Sequence, residues 1–289
     1  MTFFALLLMT SAAGAKNLEP GLSLSLCDGK DIPTEAQLRE IRDAGVRWVE
    51  VIMNPFTRYA PDDEGYVRAH TLKKRLDEAG LKVWSCHLPY GRSKSHNYDI
   101  SVLDSDLREE ALATDERMIA LSAIYRPQRI VLHSSADLVP PEERPLRLRY
   151  ARNSIGRLAV AVRETGAGRC VEVLPRACLG NCSEELLYLV GPYPEVMITF
   201  DVNHLLYESH EHFIAAAGGR IAHIHVSDYD GKDECHWVEG TGIIDWPALI
   251  DGLRKCGYRG VFMHEVRQGE GADPRSIVEA YKKIMSQKR

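Results

Sequence analysis

The sequence lacks the paired cysteines that bind zinc or build a disulfide framework. Its 289 residues include seven cysteines, and no two of them stand in a Cys-x-x-Cys spacing. This excludes a zinc ribbon and a dense disulfide scaffold. Cys178 and Cys182 are the pair close enough in sequence to be considered for a disulfide, and their spacing leaves that pairing open.

The sequence also lacks an excess of positive charge and a long apolar run. Lys and Arg number 36 against 41 Asp and Glu, which gives a formal net charge of −5. This balance disfavours a broad nucleic-acid-binding surface. A membrane-spanning helix needs about 20 apolar residues, and no stretch approaches that length. We therefore expect neither nucleic acid nor membrane as a partner, and a composition with 45% hydrophobic residues suits one globular domain.

The N-terminus differs in character from the rest of the chain. The apolar run FFALLLM is followed by Ala13, Gly14 and Ala15, which is typical of a signal peptide and its small-residue cleavage site. No Lys or Arg precedes the run, so a cytoplasmic N-terminal extension is the alternative. We predict a signal peptide over residues 1–15, one domain over residues 16–289, and a periplasmic or secreted protein.

Strand and helix patterns alternate along the remaining chain. Strands are predicted at 22–26, 46–53, 82–88, 129–134, 169–174, 196–202, 221–226 and 260–266. Helices are predicted at 34–44, 66–79, 104–125, 145–165, 183–190, 208–217, 246–256 and 274–287. Strict alternation predicts parallel strands joined by helical crossovers. Eight such units predict an α/β protein with the (β/α)8 TIM-barrel fold.

Residues 221–246 combine a strand with a loop rich in metal-ligand side chains. In IAHIHV, His223 and His225 alternate, so both point to the same side of the strand. The loop that follows carries Asp228 and other acidic residues, and then His236. Imidazoles and carboxylates at a strand end indicate a divalent-metal site. Two core histidines and a solvated acidic turn would give the same pattern.

Other predicted strands deliver similar side chains to their carboxyl ends, where the active sites of TIM barrels lie. These residues are Glu50, His87, His133, Glu172 and Arg176, Asp201 and His204, His225 and His236, and Glu265. Buried carboxylates repel one another unless a cation pairs with them. The mixed oxygen and nitrogen set Glu172, Asp201, His225 and Glu265 suits one Mn²⁺, Co²⁺, Zn²⁺ or Mg²⁺ ion.

Several motifs together resemble a known family. They are HLPYG, VEVLPR, FDVNH, HIHVSDYDG and EGTGIIDWPALI. With them the chain resembles the xylose isomerase-like barrel superfamily, in its sugar phosphate isomerase/epimerase branch. The resemblance implies that Glu172, Asp201, His225 and Glu265 bind one metal ion. It further implies that Glu172 and Glu265 transfer protons and that His204 contacts substrate oxygens.

This resemblance implies a sugar isomerase or epimerase that acts on a ketose or ketosugar. One glutamate would remove the proton next to the carbonyl and the other would return a proton, through a metal-stabilised enediolate. We expect the two glutamates on opposite barrel walls. Substrate contacts are predicted for His87, His133, His204, His236, Asp228, Glu50 and Arg176. Gly240 and Gly242 would let backbone approach the ligand or would simply form a turn. The sequence leaves a homo-oligomer open.

Three other functions remain as alternatives. Ketose 3-epimerases carry an Arg where this chain has Gly231, and phosphorylated sugars are mainly cytoplasmic. A secreted member could therefore be a lyase or hydratase of 3-keto-glycosides. Apurinic-site endonucleases with three zinc ions would use His87, His133, His204 and His236, with Glu234 in place of their Asp. The third alternative is a catalytically silent sugar-binding barrel.

Overall fold

The computed structural model describes residues 18–26, 32–57, 63–93, 96–267 and 272–287. The strands are β1 Pro20–Ser23, β2 Trp48–Ile52, β3 Lys82–His87, β4 Arg92–Ser93, β5 His96–Asn97, β6 Arg129–Leu132, β7 Gly168–Glu172, β8 Val196–Asp201, β9 Ile221–Val226 and β10 Phe262–His264. All except β4 and β5 form one closed barrel in the order β1-β10-β9-β8-β7-β6-β3-β2, and every pair in it is parallel. The predicted TIM barrel is confirmed. The predicted signal peptide lies outside the described residues.

Helices connect the barrel strands. They are α1 Glu35–Asp43, α2 Asn54–Thr57, α3 Asp63–Ala79, α4 Ser105–Ser122, α5 Arg144–Thr165, α6 Ser183–Val190, α7 His210–Ala217, α8 Trp246–Lys255 and α9 Pro274–Ser286. Local sequence explains their starts. Thr34 and Gln37 form a capping box before α1, and Asp245 and Asp273 cap α8 and α9, which carry proline in the first turn.

The boundaries differ from the predicted ones at the two ends of the barrel. β1 begins at Pro20 and ends at Ser23, because residues 24–26 turn into a 3₁₀ helix instead of extending the strand. β10 covers only three residues. The short α2 and the β4–β5 hairpin were not predicted, since elements of two to four residues are too short to show a periodic pattern.

The barrel interior changes from apolar to polar along its axis. Trp48, Trp84, Val261 and Met263 form an apolar floor, in which the two indole rings meet edge to face at 5.6 Å. Two residues further along their strands, Trp48 is followed by Glu50 and Met263 by Glu265. The barrel interior is therefore apolar at the floor, and charged side chains lie at the opposite rim, where the parallel strands end.

The structure also shows the state of the cysteines and the character of the helices. Cys178 and Cys182 are both free thiols, as are the other cysteines that the structure describes. Within the described part of the chain, no helix is both long enough and apolar enough to cross a bilayer.

Candidate metal centre

Four side chains from adjacent parts of the ring converge at the polar rim. Glu172 ends β7, Asp201 ends β8, His225 lies in β9 and Glu265 directly follows β10. One ligand atom from each residue lies within 4.8 Å of all the others. Nδ1 of His225 is 3.0 Å from Oε1 of Glu172 and 3.2 Å from Oε2 of Glu265. We call these four residues the central group.

The two glutamates lie at the ends of the fifth and the eighth barrel strand, the two strands predicted to carry them. Only β8 and β9 separate β7 from β10 in the ring of eight strands, so the two carboxylates are three strand positions apart. Glu172 is almost fully buried, whereas the Glu265 side chain is 13% exposed to the space above the barrel. The two carboxylates therefore enter the central group from different sides, and the Glu265 side chain is more accessible to solvent than that of Glu172.

The electrostatics of the central group favour a bound cation. Burial raises the pKa of Asp201 to about 6; His204 opposes this rise, and the nearby Glu172 and Glu265 add to it. Its Oδ2 atom is buried and, among the described residues, has no hydrogen-bond partner. Three carboxylates around one imidazole leave excess negative charge at a buried place. A divalent ion would pair with that charge and with the orphaned oxygen, so the residues present fit such an ion.

Two further groups of potential ligands flank the central group. His87 and His133 place their Nε2 atoms 2.9 and 3.2 Å from Oε2 of Glu172. On the other side, His204 and Glu234 meet at 3.2 Å, with His236 beside them. Glu172 thus faces the central group with one oxygen and a flanking group with the other.

Hydrogen bonds orient the flanking histidines. Nδ1 of His87, His204 and His236 each contacts a backbone carbonyl, which only accepts hydrogen bonds. The carbonyls belong to Leu88 at 2.7 Å, Val173 at 2.9 Å and Glu265 at 3.0 Å. Nδ1 therefore donates in each ring, and in the neutral form Nε2 presents a lone pair to the flanking groups. This arrangement is typical of metal-ligating histidine.

Without a cation, the imidazoles themselves balance the carboxylates. Burial opposes ionisation of Glu172, but the adjacent His225, His133 and His87 hold its pKa well below the usual range. Burial also lowers the pKa of His204, but the Asp201 and Glu234 carboxylates outweigh it and raise that pKa to about 10. The site is thus built to hold positive charge in its middle.

A cavity of 520 Å³ opens above the central group. Five of the seven predicted substrate-contact residues line it: His87, His133, His204, His236 and Arg176. Glu234, which the sequence offered only for the endonuclease alternative, also lines it, as do Tyr90 and Arg267, which were not selected from the sequence. Tyr90 stands in the HLPYG motif and packs its ring against His87 and His133, so the motif was the signal that could have found it.

Comparison with known proteins identifies the family. The sequence profile of the xylose isomerase-like TIM barrel matches residues 38–286. The chain belongs to the xylose isomerase-like TIM barrel family. No curated protein sequence matches it.

Solved structures share this xylose isomerase-like fold. A D-tagatose 3-epimerase-like protein superposes with a TM-score of 0.75 at 18% identity, over 93% of this chain and 97% of that chain. A D-psicose 3-epimerase with D-tagatose from Clostridium cellulolyticum H10 gives 0.73 at 18%, over 93% and 97%. 3-Keto-D-glucoside 4-epimerase from E. coli gives 0.73 at 17%, over 94% and 100%. At these identities, the likeness shows the fold.

Asp228 was predicted to contact substrate, but in this xylose isomerase-like barrel it stabilises its own loop. Its buried carboxylate lies away from the cavity. It accepts hydrogen bonds from the backbone N–H groups of Tyr229, Gly240 and Ile244 and from the Trp246 indole. A Cβ at Gly242 would lie 2.3 Å from Oδ1 of Asp228. These glycines therefore form a turn around Asp228 and do not bring backbone to a ligand.

Glu50 and Arg176 have contacts that the sequence did not reveal. Glu50 is fully buried below the central group and does not line the cavity. Arg176 lines the cavity, but it forms ion pairs with Asp233 at 2.8 Å and Glu234 at 2.9 Å. Arg176 is thus available to a ligand only as part of a neutralised cluster at the rim.

Proposed function

We propose that the protein is a metal-dependent sugar isomerase or epimerase that moves a proton next to the carbonyl of a ketose or ketosugar. The convergence of Glu172, Asp201, His225 and Glu265 beneath an open polar cavity carries this proposal. Ligand pockets commonly measure about 300–1,000 Å³, so the cavity suits a small sugar. The likeness of the fold to several sugar 3-epimerases supports the same reaction class.

The central group would hold one Mn²⁺, Co²⁺, Zn²⁺ or Mg²⁺ ion. When bound, such an ion polarises a carbonyl and stabilises the negative charge of an enediolate. Glu172 enters the reaction ionised, because its histidine neighbours hold its pKa low. Glu265 reaches the cavity from the other side of the group. One carboxylate accepts the proton from the carbon next to the carbonyl, and the other returns a proton.

The walls of the cavity provide hydrogen-bonding groups for sugar hydroxyls. Tyr90, His133 and His236 lie above the central group, and their phenol and imidazole groups both donate and accept. The same proton abstraction followed by loss of a group β to the carbonyl would make the enzyme a 3-keto-glycoside lyase or hydratase. The fold of 3-keto-D-glucoside 4-epimerase supports including 3-keto-glycosides among the substrates to test.

Heavy water provides the test of the proposed reaction. The metal-loaded protein is incubated in D₂O with a panel of free ketoses and 3-keto-glucosides, and products are followed by NMR. We expect deuterium at the carbon next to the carbonyl of at least one substrate. An epimer or isomer as product identifies the isomerase, and an unsaturated ketosugar identifies the lyase. Sugar binding without exchange across the whole panel would instead identify a silent binding barrel.

The two flanking groups favour one second candidate, an apurinic-site endonuclease with three zinc ions. Their six ligand positions include four histidines, three of which turn Nε2 inward. The net charge of −5 provides no general attraction to DNA. We place this function second because its substrate is a polyanion.

Metal analysis separates the two candidates. For protein purified without chelator, we expect about one divalent ion per chain, because among the described residues only the central group combines three carboxylates with an imidazole. A matched variant, His236→Asn, should leave this content unchanged, since His236 lies outside the central group. Two to three zinc ions per chain, reduced in His236→Asn and accompanied by cleavage at abasic sites, would replace the first proposal with the second.

A further inference from the structure

A second polar layer lies between the apolar floor and the central group. Glu50, Ser85, His223 and His225 are all fully buried there. We propose that Glu50 is a positioning residue that determines which nitrogen of His225 faces the central group, and that Trp84 and His223 fix Glu50 from below. This inference rests on the proposed metal-dependent function. It assigns a role to Glu50, one of the two predicted substrate contacts that do not line the cavity.

The hydrogen-bond chain starts at the floor with Trp84. Its indole Nε1 lies 3.1 Å from Nδ1 of His223. An indole nitrogen can only donate a hydrogen bond, so Nδ1 of His223 must accept it and carries no proton. His223 is therefore neutral, with its proton on Nε2.

The second step passes through Glu50. Nε2 of His223 lies 3.2 Å from Oε2 of Glu50 and donates to it. The Ser85 hydroxyl donates to the same oxygen at 2.8 Å. Two donors already hold this carboxylate in place, and a carboxylate oxygen facing an imidazole requires a proton on the nitrogen that it meets.

The third step reaches the central group. Nε2 of His225 lies 3.0 Å from Oε2 of Glu50, so Nε2 donates and carries the proton. Nε2 of His223 and Nε2 of His225 lie 3.2 Å apart, because both donate to Oε2 of Glu50. Nδ1 of His225 faces the Glu172 and Glu265 carboxylates and, by the same reasoning, carries a proton while no cation is present. A divalent ion in the central group would displace that proton, whereas Nε2 would keep its proton on Glu50, so Nδ1 would present the lone pair.

With a cation bound, His225 therefore has the opposite tautomer to three of the four flanking histidines. His87, His204 and His236 donate from Nδ1 to backbone carbonyls and turn Nε2 inward. His225 lies within a barrel strand, where carbonyls point to neighbouring strands. A nitrogen directed down the barrel axis consequently needs a side-chain acceptor, and Glu50 provides it. A carboxylate behind a ligating imidazole also increases its basicity and orients its ring.

The same hydrogen bonds argue against a metal ion in the lower layer. Glu50, His223 and His225 are close enough to one another to form a ligand set. However, both histidines direct protonated Nε2 atoms at Glu50, and no lone pair of either ring is left for a cation there. This layer is a hydrogen-bonded support for the central group.

The tautomers can be read directly in the wild-type protein. Full-length protein with ¹⁵N-labelled histidine is loaded with Zn²⁺ and examined by long-range ¹⁵N–¹H NMR correlation. We expect a proton on Nε2 of both His223 and His225, and on Nδ1 of His87, His204 and His236. The His225 signals are assigned by their loss in His225→Asn. A proton on Nδ1 of His225, with the metal at Nε2, would overturn the inference without any need for a stable Glu50 variant.

Substitution of Glu50 tests the consequence for binding. In Glu50→Gln, we expect the affinity for Zn²⁺, measured by competition with a chelator, to fall about 10- to 100-fold with unchanged stoichiometry. The matched control is Glu239→Gln, which alters another buried glutamate paired with a histidine, His264, away from the cavity. Equal affinities of Glu50→Gln and wild type would refute the role of Glu50 and leave the proposed function intact. A wild type that binds no metal would refute the proposed function itself.

Discussion

Replacing Glu265 with glutamine should nearly stop deuterium exchange into the ketosugar substrate. The amide keeps the shape of the side chain but cannot take up a proton as a carboxylate does. Positioned acid–base groups contribute about 10²- to 10⁴-fold to rates, and we expect a loss in kcat of this size. Because Glu265 also belongs to the central group, exchange is measured by NMR at a metal concentration high enough to saturate the variant.

Two controls make this result specific. Glu239→Gln removes a buried carboxylate that does not line the cavity, and it should exchange at the wild-type rate. Affinity of Glu265→Gln for the unreacted sugar should stay near that of wild type, because the hydroxyl-binding side chains are unchanged. Full exchange by metal-saturated Glu265→Gln would contradict the assignment of Glu265 as a proton-transfer group.

Replacing Asp228 with alanine should cause the largest loss of stability among single substitutions around the site. The carboxylate accepts four hydrogen bonds that hold the loop between β9 and α8. Leaving a buried donor without a partner costs about 1–3 kcal/mol. Water entering the space would satisfy some of these donors, so we expect the free energy of unfolding to fall by about 3–5 kcal/mol. Thermal unfolding should show a decrease in Tm of roughly 10 °C.

Asp230→Ala is the matched comparison for this prediction. Asp230 lies two residues away in the same loop, but it is exposed, and it accepts from the backbone N–H groups of Lys232 and Asp233. Its removal should have a much smaller effect on Tm. If the two variants unfold at the same temperature, Asp228 does not organise the loop, and a direct role toward ligand would have to be reconsidered.

The sequence was sufficient to predict the barrel and the residues that gather at its rim. Six of the eight barrel strands carry a side chain with metal-binding chemistry at or next to their carboxyl end, and parallel strands bring their carboxyl ends to the same edge. Asp201 and His225 could therefore be placed near each other although 24 positions separate them in the sequence. These side chains converge at the rim because of the strand topology, whatever the conformation of the loops.

Two predicted contacts could not be located in the same way. Glu50 lies in mid-strand, and its depth in the barrel depends on the register between β2 and β3, which shifts at Glu50. Asp228 lies one residue beyond a serine that follows β9, where a carboxylate can face the ligand or cap its own loop. Only the positions of the Gly240 and Ile244 N–H groups decide between these roles, and they follow from the folded loop.

Two residues of the cavity adopt backbone conformations that normally suit glycine. Arg176 has a φ of 52° and His236 a φ of 51°, and residues held in this left-handed region cost of the order of 1–3 kcal/mol. Selection for thermal stability alone would thus favour glycine or asparagine at both places. Both side chains line the cavity, so replacing them would gain stability at the cost of groups that face the ligand. A stabilising redesign of this barrel would therefore have to leave these two positions unchanged.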